Sequence, residues 1–250
     1  MTALKETVKS ALGNFGLHVR YAKKQLRDMY PDYEMVIPYG TYSPWNRDQA
    51  FTSIYQRVKH ATLVDKYRCF ELWRLVGEAA KLGRGAFVEI GVWRGGTTAL
   101  IAAHAKKLGL TDAVFACDTF TGVVKAGESD AFYYGGEHAD TSQKAVEALL
   151  YDELKLDNVK ILTGVFPDDT GRFVDDLEFR FCHIDVDVYQ SAKDIVDWLW
   201  ERMVPGGIIV YDDYGAFTCP GIARYVDEQL ALTDRIVLHN LNGHAVVIKR

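Results

Sequence analysis

A chain of 250 residues is long enough for one sizeable α/β domain with an appended arm, and its 48% hydrophobic and 25% charged residues are ordinary for a globular protein. The net charge of −5, with no Lys/Arg run, argues against a broad nucleic-acid surface or a polybasic membrane patch. No apolar stretch approaches a membrane span or a signal-peptide core, and Cys69, Cys117, Cys182 and Cys219 make no C-x-x-C pair, so reduced thiols in a cytoplasmic setting are expected.

The chain opens with Leu17, Val19, Tyr21, Ala22, Leu26 and Met29 interleaved with Arg20, Lys23, Lys24 and Arg27, the pattern of an amphipathic helical arm. Such an arm is either solvated or a dimer contact, so a homo-oligomer stays open. Pro31, Pro38 and Pro44 then prevent a continuous helix, while Tyr33, Tyr39, Tyr42 and Trp45 make the segment aromatic, as a ligand lid or as packing for the arm. Helices are expected over 48–60 and 65–82. The division drawn is 1–64 as helical, aromatic arm and possible lid, and 65–250 as the main domain.

From residue 85 strands and helices alternate. Strands are expected at 86–90, 113–118, 158–162, 179–185 and 207–211, with helices near 96–108, 140–151, 169–176 and 189–202, then 217–232. That is the signature of a doubly wound, mainly parallel sheet. Segments 235–239 and 245–249, joined across Asn240-Leu241-Asn242-Gly243, read as an antiparallel hairpin.

Ligands of such sheets sit at the carboxyl ends of the strands. After Ala86–Ile90 come Gly91, Gly95 and Gly96, a strand–turn–helix entry where the backbone can approach a ligand and a new helix offers free N–H groups. Its G-x-x-x-G-G spacing is not the dinucleotide fingerprint. The second, fourth and fifth strands also end at acids, and the third is followed by Asp168 and Asp169. Asp118 is placed to accept from two ribose hydroxyls, which suits NAD or S-adenosylmethionine. Glu89 favours the latter, whose ammonium and sulfonium welcome an acid where a pyrophosphate would be repelled. Asp168 or Asp169 reaches an adenine amino group or caps the next helix.

Asp185 and Asp187 end one strand, and Asp212 and Asp213 end the next. If those strands are neighbours, four carboxylates crowd one volume and push each other's pKa upward. A hard cation such as Mg²⁺ relieves that and suits oxygen-only ligands. Asp187, furthest past the strand end, is the choice for a general base. Capping of the helices that follow is the alternative role of these pairs. His183 is expected to pack or make a local hydrogen bond.

Five segments in order, Glu89–Gly96, Asp118–Gly122, Gly164–Asp168, His183–Ser191 and Pro205–Gly215, resemble the macrocin O-methyltransferase family. The resemblance implies a class I methyltransferase fold (Rossmann-like, mainly parallel, seven strands with a C-terminal antiparallel hairpin). It also implies methylation of a sugar hydroxyl on an antibiotic with S-adenosylmethionine and Mg²⁺. It carries the metal ligands onto Asp185, Asp212 and Asp213, and the base onto Asp187. Cofactor contacts fall on Glu89, Gly91, Trp93, Gly95, Thr97, Asp118, Asp168 and Asp185. Val186, Thr121 and Gln190 depart from the family, which commonly has Gly, Glu and Glu there. Loops 39–55 and 124–140 are candidate acceptor walls or plain surface. The expected partner is a small glycoside, with no nucleic acid and no membrane. A catechol-like phenol as acceptor, a nicotinamide-dependent oxidoreductase and a non-catalytic cofactor binder are the competing readings.

Overall fold

Strands β1 (Ala86–Ile90), β2 (Val114–Asp118), β3 (Val159–Thr163), β4 (Phe179–Ile184), β5 (Met203–Tyr211), β6 (Arg235–His239) and β7 (Ala245–Lys249) form one sheet in the order β3-β2-β1-β4-β5-β7-β6. The first five are parallel, and the β6–β7 hairpin adds antiparallel to β5. The seven-stranded, mainly parallel sheet with its closing hairpin is therefore as expected. This computed structural model describes residues 32–36 and 40–250. The chain divides into a unit Met1–Ile37, of which only 32–36 are described, and a unit Pro38–Arg250, described below. The amphipathic segment 17–29 lies outside the described residues.

Helices cover both faces, so β1 and β4 are buried along their whole length and lack a polar alternation. Successive strand residues point to opposite faces. Phe87, Val114, Ala116, Phe181, Ile208 and Val210 meet helices α1 (Gln49–Val58), α2 (Lys66–Ala80) and α3 (Gly96–Lys107). Val88, Phe115, Cys117, Cys182, Ile184, Ile209 and Tyr211 meet α5 (Tyr189–Leu199) and α6 (Pro220–Gln229). The short α4 (Gln143–Glu147) runs into a π-helical stretch, Ala148–Glu153.

Three local differences have physical causes. Helix 169–176 is absent; a single 3₁₀ turn, Gly171–Phe173, stands there, and Asp169 folds back so that Oδ2 accepts from Val165 N at 2.9 Å. Strand β5 starts at Met203 rather than 207, because Met203 pairs with Phe179 before a register shift. Residues 49–64 pack into the main core: Phe51 and Val58 are fully buried, and Asp48 both caps α1 at Phe51 N (3.0 Å) and accepts from Trp73 Nε1 (2.9 Å).

The register levels the strand tips. Ile90 pairs with Cys117 and Ile184, and Ile184 with Tyr211. Backbone bonds carry on past the ends: Gly91 N to Cys117 O (3.0 Å), Asp185 N to Ile90 O (2.9 Å) and Asp212 N to Ile184 O (3.0 Å). Gly91, Asp118, Asp185 and Asp212 thus emerge as one row along the carboxyl edge, where the order β2-β1-β4 reverses the winding.

Candidate active site

Gly91 has φ +89°, and a Cβ there would stand 1.7 Å from Asp185 O, so only glycine lets the tips of β1 and β4 close on each other. The turn that follows is held by Asp118. Its Oδ2 accepts from Val92 N (2.7 Å) and Trp93 N (2.8 Å), and its Oδ1 from Phe120 N (2.7 Å). Beside this turn opens a cavity of about 280 Å³. Of the residues singled out in the sequence, Gly91, Trp93, Thr97, Asp118, Asp185, Asp187, Asp212 and Asp213 line it.

Three do not. Glu89 is fully buried behind the tip of β1, where it accepts from Thr98 Oγ1 and meets His183 Nδ1 at 2.8 Å. Gly95 stands at the N-cap of α3, against Val146. Asp168 is turned outward, its side chain 55% exposed and paired with Lys125 at 2.8 Å. Among the described residues none of 40–55 lines the cavity; Ala61, Thr62, Leu63 and Val64 form that wall instead. The loop after β2 supplies Val124, Tyr133 and His138.

The acids of β4 and β5 do converge. Carboxylate oxygens of Asp185, Asp212 and Asp213 lie within 4.8 Å of one another, and so do ligand atoms of Asp187, Asp213 and Cys219. Asp187, at φ +65°, is fixed through its backbone N–H to Asp213 Oδ2 (3.0 Å). Burial, then the charges of Asp212 and Asp213, push the Asp185 carboxyl far above the usual range; burial and the charges of Asp187 and Asp212 do the same to Asp213. Burial also raises Asp187.

Asp212 behaves oppositely. Burial alone would raise it, but the imidazoles of His183 and His244 and the Arg68 guanidinium outweigh burial and hold it well below the carboxylate range. Its Oδ1 meets His244 Nε2 at 2.8 Å, and its Oδ2 accepts from Arg68 Nη1. Glu71, one turn past Arg68 on α2, takes His244 Nδ1 (2.6 Å), Asn240 Nδ2 (2.5 Å) and Asn242 Nδ2 (2.8 Å). His183 does more than pack: burial opposes its proton, yet Asp212 and Glu89 raise it to about 10. Its Nε2, 3.6 Å from Asp212 Oδ1, has no hydrogen-bond partner among the described residues.

Sequence reasoning missed Arg68, Glu71, His244 and Cys219, and it placed Tyr133 only within the candidate acceptor loop 124–140, without its bond to Asp187. A signal existed for some of them. Arg68 and Glu71 are i,i+3 neighbours on one helix face, and Asn240, Asn242 and His244 alternate at the hairpin turn.

Comparison with known proteins follows the same lines. The sequence profile described as "Macrocin-O-methyltransferase (TylF)" matches residues 49–241. A Streptomyces olivaceus protein named 8-demethyl-8-(2,3-dimethoxy-alpha-L-rhamnosyl)-tetracenomycin-C 4'-O-methyltransferase is 29% identical over 54% of this chain and 55% of its own. Demethyldecarbamoylnovobiocin O-methyltransferase of Streptomyces niveus is 29% identical over 60% of each chain. This chain therefore spans little more than half the length of either relative. The solved structure of the O-methyltransferase NovP superposes with a TM-score of 0.63 at 22% identity, covering 76% of this chain and 82% of that one, which identifies the fold as that of the class I O-methyltransferases. Among the described residues no helix is long and apolar enough to cross a membrane.

Proposed function

The chain belongs to the macrocin-O-methyltransferase family, and we propose that it transfers the methyl group of S-adenosylmethionine, with the help of Mg²⁺, to a sugar hydroxyl of a glycosylated natural product. The observation that carries this reading is the meeting of Asp185, Asp212 and Asp213 within 4.8 Å, beside Asp187, in the cavity that the glycine turn opens into.

The donor set suits the ion. Asp185 and Asp213 are carboxylates raised on balance by burial and by like charge, while the direct side-chain bonds of Arg68, His183 and His244 fall on Asp212. Oxygen ligands of this kind take a hard divalent cation. Held by Asp185, Asp212 and Asp213, such a cation would supply the missing positive charge and would make a nearby hydroxyl more acidic. Asp187 then takes the proton of the acceptor hydroxyl as that oxygen gains the methyl group and the donor leaves as its neutral thioether. The walls of the cavity would bring the two reactants together.

Asp118 is assigned to the ribose. A carboxylate has about four acceptor sites, and three already serve Val92, Trp93 and Phe120. One hydroxyl can therefore be accepted, not the two expected from the sequence. The glycoside assignment leans on the rhamnosyl acceptor in the name of the Streptomyces olivaceus relative.

Calorimetric titration of the full chain with S-adenosylmethionine and with NAD, each with and without Mg²⁺, tests the cofactor. Methyl transfer to a panel of antibiotic glycosides and catechols, abolished by a chelator and restored by Mg²⁺, tests the reaction. Binding of NAD alone, or turnover indifferent to the chelator, overturns the proposal.

A further inference from the structure

The loop between β2 and α4 carries a second component of the site. Tyr133 donates its hydroxyl to Asp187 Oδ1 at 2.5 Å, the length of a charge-assisted bond. Cys219 Sγ approaches the same oxygen at 3.7 Å. Among the described residues both hydrogen bonds to this carboxylate fall on Oδ1.

The loop that brings Tyr133 there is bolted to the backbone it serves. Helix α5 begins directly after Asp187, and its own N-cap, Val188, offers no side-chain bond. The cap comes from the loop: Asp130, 3% exposed, accepts from Tyr189 N through Oδ1 (2.9 Å) and from Gly127 N through Oδ2 (3.0 Å). Asp130 O also accepts from Tyr133 N at 3.3 Å. Two residues three apart in the loop thus grip both sides of one turn, Asp130 at the backbone of Tyr189 and Tyr133 at the side chain of Asp187. That turn needs gripping. Asp187 stands past the strand end, in a left-handed backbone conformation that a non-glycine residue adopts at a cost.

We propose that Tyr133 is a positioning residue: its phenol pins Asp187 through Oδ1, so that Oδ2 alone is left to receive the acceptor's proton. This rests on the methyl-transfer reading above. It gives the loop a role in catalysis rather than only in covering the acceptor. Tyr134, one residue on, is 84% exposed, and among the described residues its hydroxyl bonds within its own turn, to Ala131 O at 3.4 Å, which makes it a matched control.

The test uses the full chain with S-adenosylmethionine, Mg²⁺ and 8-demethyl-8-(2,3-dimethoxy-α-L-rhamnosyl)-tetracenomycin C as the acceptor probe. Tyr133→Phe is expected to lower kcat roughly ten- to hundredfold, the cost of a misplaced reacting group. The acceptor KM should move by less than about threefold, because uniform binding is untouched. Tyr134→Phe should leave both unchanged, and S-adenosylmethionine affinity by calorimetry should be the same in all. In an Asp187→Asn background, adding Tyr133→Phe should not slow the residual rate further. Proton NMR should show a far-downfield hydroxyl signal in the wild type and Tyr134→Phe, and none in Tyr133→Phe or Asp187→Asn. A Tyr133→Phe enzyme with wild-type kcat, or a loss additive with Asp187→Asn, overturns the positioning role while leaving the methyl-transfer reading in place. A wild type that transfers no methyl group to any glycoside removes both.

Discussion

Replacing Gly91 by alanine tests whether the closure of β1 on β4 holds the site. Two costs add. The φ of +89° disfavours any L side chain by about 1–2 kcal/mol. The new Cβ would lie 1.7 Å from Asp185 O and 2.7 Å from Asp185 C, both backbone atoms that cannot rotate away. Overpacking of that kind costs about 1–3 kcal/mol or more. Gly109 is the control, since it has a similar φ of +74° with nothing within 4 Å of its Cβ position. There the strain is partly offset by roughly 0.4–1 kcal/mol gained from a stiffer unfolded chain. Urea unfolding with unchanged slope should therefore place Gly91→Ala about 3 kcal/mol below wild type and Gly109→Ala within about 1 kcal/mol of it. At about 2–4 °C per kcal/mol for a domain of this size, the melting temperature of Gly91→Ala falls by roughly 6–12 °C. Equal losses in the two variants would refute the argument, because the clash would then contribute nothing.

Asp187→Asn should fold normally, since asparagine tolerates a left-handed backbone, and should slow methyl transfer by about 10²–10⁴-fold with cofactor affinity intact; single-turnover rates and calorimetry decide it. Arg68→Met strips a partner from the buried Asp212 and should cost about 3–5 kcal/mol in urea unfolding. Added Mg²⁺ should then raise the melting temperature of Arg68→Met more than that of wild type; equal shifts would mean that the ion does not share Asp212. His104 is stacked on Trp73 (3.9 Å between rings), and burial lowers its pKa. The folded chain thus binds a proton there less readily than the unfolded chain, so stability is full above about pH 6.5 and falls as pH drops below it. His104→Phe should flatten that decline in urea midpoints taken between about pH 7.5 and 5.5; an unaltered slope would clear His104 of any part in it.

Much of the carboxyl edge is legible in sequence because strand ends are local events. Apolar runs such as Ala86–Ile90 and Phe179–Ile184 stop where Gly91 and Asp185 begin, and the observed elements stop there too. The hairpin at Asn240–Gly243 was readable for the same reason. What was not legible depends on pairs far apart in the chain. Arg68 meets Asp212 across 144 positions, and Glu71 meets His244 across 173. Glu89 shows the limit from the other side. A carboxylate at a strand end reads as a ligand contact, but the alternation of β1 turns it inward, to Thr98 and His183. Residues 169–176 read as a helix, yet only one 3₁₀ turn, Gly171–Phe173, forms there, and Asp169 turns back to accept from Val165 N.

The link from Glu71 through His244 to Asp212 also sets an order of events during synthesis. Arg68, His183 and Asp185 precede Asp212 in the chain and residues 240–244 follow it, so in a growing chain Asp212 has two of its basic neighbours to hand while His244 is still missing. Until the hairpin docks onto α2, the acidic pocket is a half-built structure, and the final two strands act as the keystone that lets it close.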